Sequence, residues 1–73
     1  MNEMVAVTWT DAYFSWEEQE PVEDYPITTV GFVVQRGSRF LHLAAERMPS
    51  GWRAVTSIPL VLIENEYTLG RTP

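Results

Sequence analysis

The sequence predicts a small all-β domain of five short strands. Three observations carry this. Apolar and polar residues alternate with a period of two along residues 5–10, 52–58 and 64–69, which puts successive side chains on opposite faces of a half-buried strand. Two apolar runs, residues 30–34 (VGFVV) and 40–45 (FLHLAA), flank the polar segment 35–39 (QRGSR), the pattern of a β-hairpin. Gly37, Gly51, Pro26 and Pro59 punctuate these runs where turns are needed.

In residues 5–10 (VAVTWT), Val5, Val7 and Trp9 share one face, and Ala6, Thr8 and Thr10 the other. Asp11 follows and fits a cap that accepts hydrogen bonds from backbone N–H groups of the next turn. Residues 12–25 read as an exposed loop. Six of the ten acids fall between Asp11 and Asp24. Ser15 with Glu18 three residues on makes a capping box for one helical turn, and Pro21 stops any helix. On the second strand Val30, Phe32 and Val34 oppose Thr29, Gly31 and Val33. Gly31, inside the strand, marks a bend or the close approach of a neighbouring backbone.

Arg36, Gly37 and Ser38 supply the hairpin turn, with Gly37 free to take a positive φ. On the third strand Leu41, Leu43 and Ala45 oppose Phe40, His42 and Ala44. Both faces are largely apolar, as in a strand covered on both sides. Residues 47–51 (RMPSG) turn into a fourth strand, residues 52–58, where Trp52, Ala54, Thr56 and Ile58 alternate with Arg53, Val55 and Ser57. Pro59 has no N–H to donate and breaks the ladder. Residues 59–63 (PLVLI) make one 3₁₀ turn, and Asn65, Tyr67 and Leu69 mark a fifth strand over residues 64–69. Residues 70–73 form a tail. Five short strands, a long acidic first loop and a 3₁₀ turn before the last strand are the order of the SH3-like and Sm-like small barrels. Closing the sheet would remove its exposed edges. The alternative is an open five-stranded sheet closed only by pairing with another subunit.

The chain of 73 residues makes one domain, residues 1–73. A chain this short buries only about 60% of the surface its unfolded form exposes. With no Cys and one His, disulfides and thiolate zinc sites are excluded, so stability rests on a well-packed core or on homo-oligomerisation. No cofactor is called for. The N-terminus lacks the basic start and apolar run of a signal peptide, and no run approaches a membrane span, so the expected location is the cytoplasm. The net charge is −5, from ten acids against five Arg and no Lys. That balance opposes nonspecific nucleic-acid binding, which depends on neutralising phosphates.

Several pieces, in this order and spacing, resemble a group of small proteins encoded by tailed bacteriophages. They are Val7-Thr8-Trp9-Thr10-Asp11-Ala12, Trp16-Glu17-Glu18, Thr29-Val30-Gly31-Phe32-Val33-Val34, Leu41-His42-Leu43-Ala44 and Ile58-Pro59 with Ile63 four residues after the proline. The resemblance implies a phage or prophage origin and action inside a bacterial host. The group has no established activity, so no functional residue is carried over.

Candidate chemistry is sparse. His42 lies mid-strand with no sequence sign of an orienting partner or nucleophile, and nucleophilic catalysis lacks its parts. The chain reads as a binding protein, not an enzyme. Trp16, Glu17, Glu18, Glu20, Glu23 and Asp24 form an acidic surface with an aromatic, suited to a host protein partner or to mimicry of nucleic-acid charge. Arg36 and Arg39 at the hairpin tip, with Arg53 and Trp52 by the second turn, suit a small anionic ligand such as a nucleotide if an oligomer brings the turns together. Trp9 and Trp52 are expected in the core. The leading expectation is a phage accessory protein that binds a host or phage macromolecule. A homo-oligomer sequestering an anion comes second, and an Sm-like RNA binder third.

Overall fold

The computed structural model describes residues 2–10 and 26–72. Five strands run in the order β1 (Asn2–Thr10), β2 (Pro26–Arg36), β3 (Phe40–Met48), β4 (Gly51–Pro59) and β5 (Ile63–Thr72), with a 3₁₀ turn at Leu60–Leu62 before β5. They form one antiparallel sheet with spatial order β4-β3-β2-β1-β5. Among the described residues β4 and β5 do not pair, so they are the two edges of an open sheet.

The strand alternation read from the sequence sets the inner face. Val5 and Val7 of β1, Leu41 and Leu43 of β3 and Ile58 of β4 are fully buried there, with Trp9, Val33 and Ile63 packed around them. Gly31 lies opposite Val5. A Cβ at Gly31 would sit 2.8 Å from the Ala44 carbonyl oxygen and 3.2 Å from the Leu43 Cβ, so the missing side chain is what lets β2 and β3 approach.

The sheet is strongly coiled, and the ladder shows it. Val7 pairs with Thr29 on one side and Glu66 on the other. Arg36 lies seven residues beyond Thr29, about 23 Å away along an extended strand. Its guanidinium nevertheless meets the Glu66 carboxylate at 2.7 Å. A flat sheet forbids that contact. The ladder between β2 and β3 slips between Val33 and Gln35, and a bulge of this kind increases local bend and twist.

Three expectations need correction. Gly37 does not take a positive φ; Gly51 is the only described glycine that does. The turn closes instead through the Gly37 N–H, which donates to the Phe40 carbonyl at 2.9 Å. Trp52 is half-buried and outside the core cluster. The residue at Ala54 has φ +58, which interrupts the alternation of β4, and the Trp52 ring meets Phe32 at 5.8 Å. Lastly, Gly70, Arg71 and Thr72 belong to β5 and not to a tail.

Candidate functional site

The face opposite the core is built by register. Tyr67, Ala6 and Val30 form one row across β5, β1 and β2. Met4, Phe32, Ala44 and Val55 form the next across β1 to β4. Trp52 packs on Phe32, and the Arg47 guanidinium lies 6.0 Å from the Trp52 ring centroid, within range of a cation–π contact. Asn65, Thr8 and Thr28 make a polar row at the other end, joined by a hydroxyl pair between Thr8 and Thr28 at 3.2 Å. Val30, Val55 and Tyr67 remain 58%, 50% and 60% exposed. Met4, Ala6, Phe32 and Trp52 between them are half-buried and Ala44 is fully buried, so the face is a partly covered apolar strip on which three side chains stand open.

The inner face carries an ionic cluster at its rim. Arg36 donates to both oxygens of Glu66 at 3.0 and 2.7 Å and to Glu3 at 2.8 Å. Thr68 donates its hydroxyl to the other Glu3 oxygen at 3.1 Å. The Arg36 hydrogen bond holds the Glu3 carboxyl below its ordinary pKa despite partial desolvation, and Thr68, the Arg36 charge and Arg71 add to the effect. Arg36 is itself pushed upward, first by Glu66 and then by Glu3, so it stays charged at every accessible pH. The cluster ties β2 to β1 and β5 across the coil, which is a structural role.

The arginines expected to gather an anion are placed apart. Arg36 is engaged by two carboxylates, and Arg53 donates to Glu46 at 2.6 Å. Arg39 is exposed at the turn after β2, where its carbonyl accepts the Leu60 N–H at 2.9 Å. Trp52 and Arg53 lie near the opposite end of β3, since Arg47 pairs with Trp52. Eight residue steps separate Phe40 from Met48, about 26 Å along a strand. One chain does not bring these groups together. His42 shares a hydrogen bond of 2.7 Å with Ser57, its direct partner on β4. The pair is solvent-facing, and among the described residues no carboxylate is bonded to the ring. It satisfies the imidazole as a cross-strand contact. Trp16, Glu17, Glu18, Glu20, Glu23 and Asp24, with Asp11 and Ser15, lie outside the described residues.

Sequence reasoning does not single out the outer face as a site. Its one signal is the two-sided apolar character of the hairpin, which along residues 40–45 reads as cover on both sides. The structure covers the inner side and leaves Val30 open. Among the described residues no helix is long and apolar enough to cross a membrane. Comparison of the chain with protein-family models, with curated proteins and with solved structures returned no match.

Proposed function

We propose that the protein is a non-enzymatic binding module whose apolar outer face engages a protein partner. One observation carries the reading: Val30, Val55 and Tyr67 stand open beside Met4, Phe32 and Trp52 on the face that the core does not use. Burying apolar surface at about 25 cal/mol per Å² favours association, and aromatic side chains dominate such interfaces. The net charge of −5 favours a partner whose apolar patch is set in a basic surround, because complementary fields speed encounter. The SH3-like or Sm-like strand order and the 3₁₀ turn before the last strand accord with a small barrel left incompletely closed. The resemblance to small phage proteins supports an accessory role inside a bacterial cell, with the acidic loop as a second contact.

The test is retention of a protein from bacterial extract by the immobilised full chain. The double variant Val30→Glu/Val55→Glu, with an unchanged circular dichroism spectrum, is expected to lose that protein by tenfold or more in affinity. A companion variant neutralising Glu17, Glu18, Glu20, Glu23 and Asp24 is expected to slow capture and raise its sensitivity to salt. Equal retention by the face variant, or no protein retained by wild type, would overturn the reading.

A further inference from the structure

We propose that two copies of this chain associate through β5, their fifth strands pairing antiparallel about a two-fold axis to make one continuous sheet. This association rests on the fold alone and not on the proposed partner contact.

The two edges of the sheet differ. The β4 edge carries the devices that discourage pairing. Ala54 is left-handed at φ +58, Pro59 lacks a donor at the strand end, and Arg53 is an exposed charge held by Glu46. The β5 edge carries fewer of them: its ladder to β1 slips at two bulges, around Glu64 and Leu69. It runs ten residues with no proline and no positive φ, and among the described residues its backbone pairs only with β1. Its acids are drawn away from the free side. Glu66 turns inward onto Arg36, and Glu64 accepts the Thr10 hydroxyl at 3.2 Å. Two apolar side chains are left at this edge, Tyr67 at 60% and Leu69 at 56% exposure.

The sequence of β5, IENEYTLGRT, is complementary to itself only when reversed. Glu64 and Glu66 occupy its first half and Arg71 its second. Antiparallel pairing sets the acidic half of one copy against Arg71 of the other, whereas parallel pairing sets like charges together. Centring the two-fold on Thr68 puts Tyr67 opposite Leu69, twice by symmetry, and Asn65, which lies between the two acids, opposite Arg71. Apolar and opposite-charge cross-strand neighbours of this kind stabilise a pair. An isologous contact closes on itself, and the guarded β4 edges stop further growth. Because Tyr67 also ends a row of the outer face, pairing joins the two outer faces into one surface.

Sedimentation equilibrium of the full chain over a concentration series tests this. The expected mass is twice the 8.4 kDa of one chain. Tyr67→Lys/Leu69→Lys alters only exposed positions and is expected to sediment as one chain with an unchanged spectrum. The protein has no cysteine, so Thr68→Cys is expected to give a disulfide-linked dimer on mild oxidation, while Ser57→Cys on β4 is not. A monomeric wild type, an assembly of three or more copies, a charged variant that stays dimeric, or Ser57→Cys linking as readily as Thr68→Cys would overturn the proposal. A dimer whose Val30→Glu/Val55→Glu variant still retains the partner would refute the binding face alone, so the two readings fail separately.

Discussion

Replacing Gly31 with alanine adds one methyl group between β2 and β3, and the structure fixes what that methyl meets. It would lie 2.8 Å from the Ala44 carbonyl oxygen, whereas ordinary contact begins near 3.4 Å. The strands must part by about 0.6 Å at the pairs Phe32 with Ala44 and Val33 with Leu43. The obstacle is backbone in a ladder, not the end of a flexible side chain. Overpacking of this sort costs about 1–3 kcal/mol. Alanine recovers about 0.4–1 kcal/mol by restricting the unfolded chain, so the net loss is about 1–2 kcal/mol. In a domain of this size each kcal/mol moves Tm by about 4–8 °C.

Gly70 is the internal control. Its added Cβ meets only the Met4 methyl at 3.5 Å, and its φ is unremarkable. Gly70→Ala therefore keeps the unfolded-state gain and is expected to stabilise by about 0.4–1 kcal/mol. Urea unfolding followed by tryptophan fluorescence, at one fixed protein concentration, reads both variants. The expected result is opposite signs with equal m-values. Gly31→Ala as stable as wild type, or both variants moving the same way, would refute the reasoning about close approach.

Other contacts carry outcomes of their own. Ala54→Gly relieves a left-handed alanine that costs about 1–2 kcal/mol and adds about 0.5–1 kcal/mol of backbone entropy loss; a net gain of about 0.5–1 kcal/mol in urea unfolding is expected, and a loss would contradict the φ of +58. Arg36→Met removes the guanidinium that Glu3 and Glu66 share, leaving Glu3 with the Thr68 hydroxyl, and is expected to lower the urea midpoint, modestly because the cluster is partly exposed and screened by solvent. Arg36→Lys should recover less than half of that loss, since an ammonium cannot serve both oxygens of Glu66, and full recovery would argue against the fork. Glu3 has a lowered pKa in the folded protein. Its contribution is complete above the ordinary value of 4.5 and is lost as pH falls through the lowered value. Glu3→Gln is thus expected to be less stable than wild type at neutral pH and to converge with it in acid. A difference that persists unchanged however far the pH falls below 4.5 would refute the assignment.

Strand existence and order were legible in the sequence because alternation is local: Val5, Val7, Leu41, Leu43 and Ile58 reached the core by simple parity. Gly31 was legible too, because a missing side chain inside an apolar strand points to a neighbouring backbone that comes close. Long-range coiling was not legible. Nothing near Arg36 in the sequence names Glu3 or Glu66, which lie 33 and 30 residues away. A basic residue at a hairpin tip looks like a free anion ligand until the bulge after Val33 turns it inward. Trp52 escapes the parity rule because one left-handed residue, Ala54, breaks the period on which parity depends, and a non-glycine residue gives no warning of it. The outer face was missed because it gathers single residues from five strands, each unremarkable by itself.

Amide hydrogen exchange along β5 tests most directly the claim beneath both functional readings, that the sheet is open at this strand. With Tyr67→Lys/Leu69→Lys as the single-chain form, the amides facing away from β1, which alternate along Asn65–Thr68 and resume with shifted phase after the bulge at Leu69, should exchange fast while those bonded to β1 stay protected. In wild type the fast set should become protected as concentration rises. Uniform protection in the charged variant, independent of concentration, would mean that β4 or another part of the same chain covers this edge, which contradicts an open sheet.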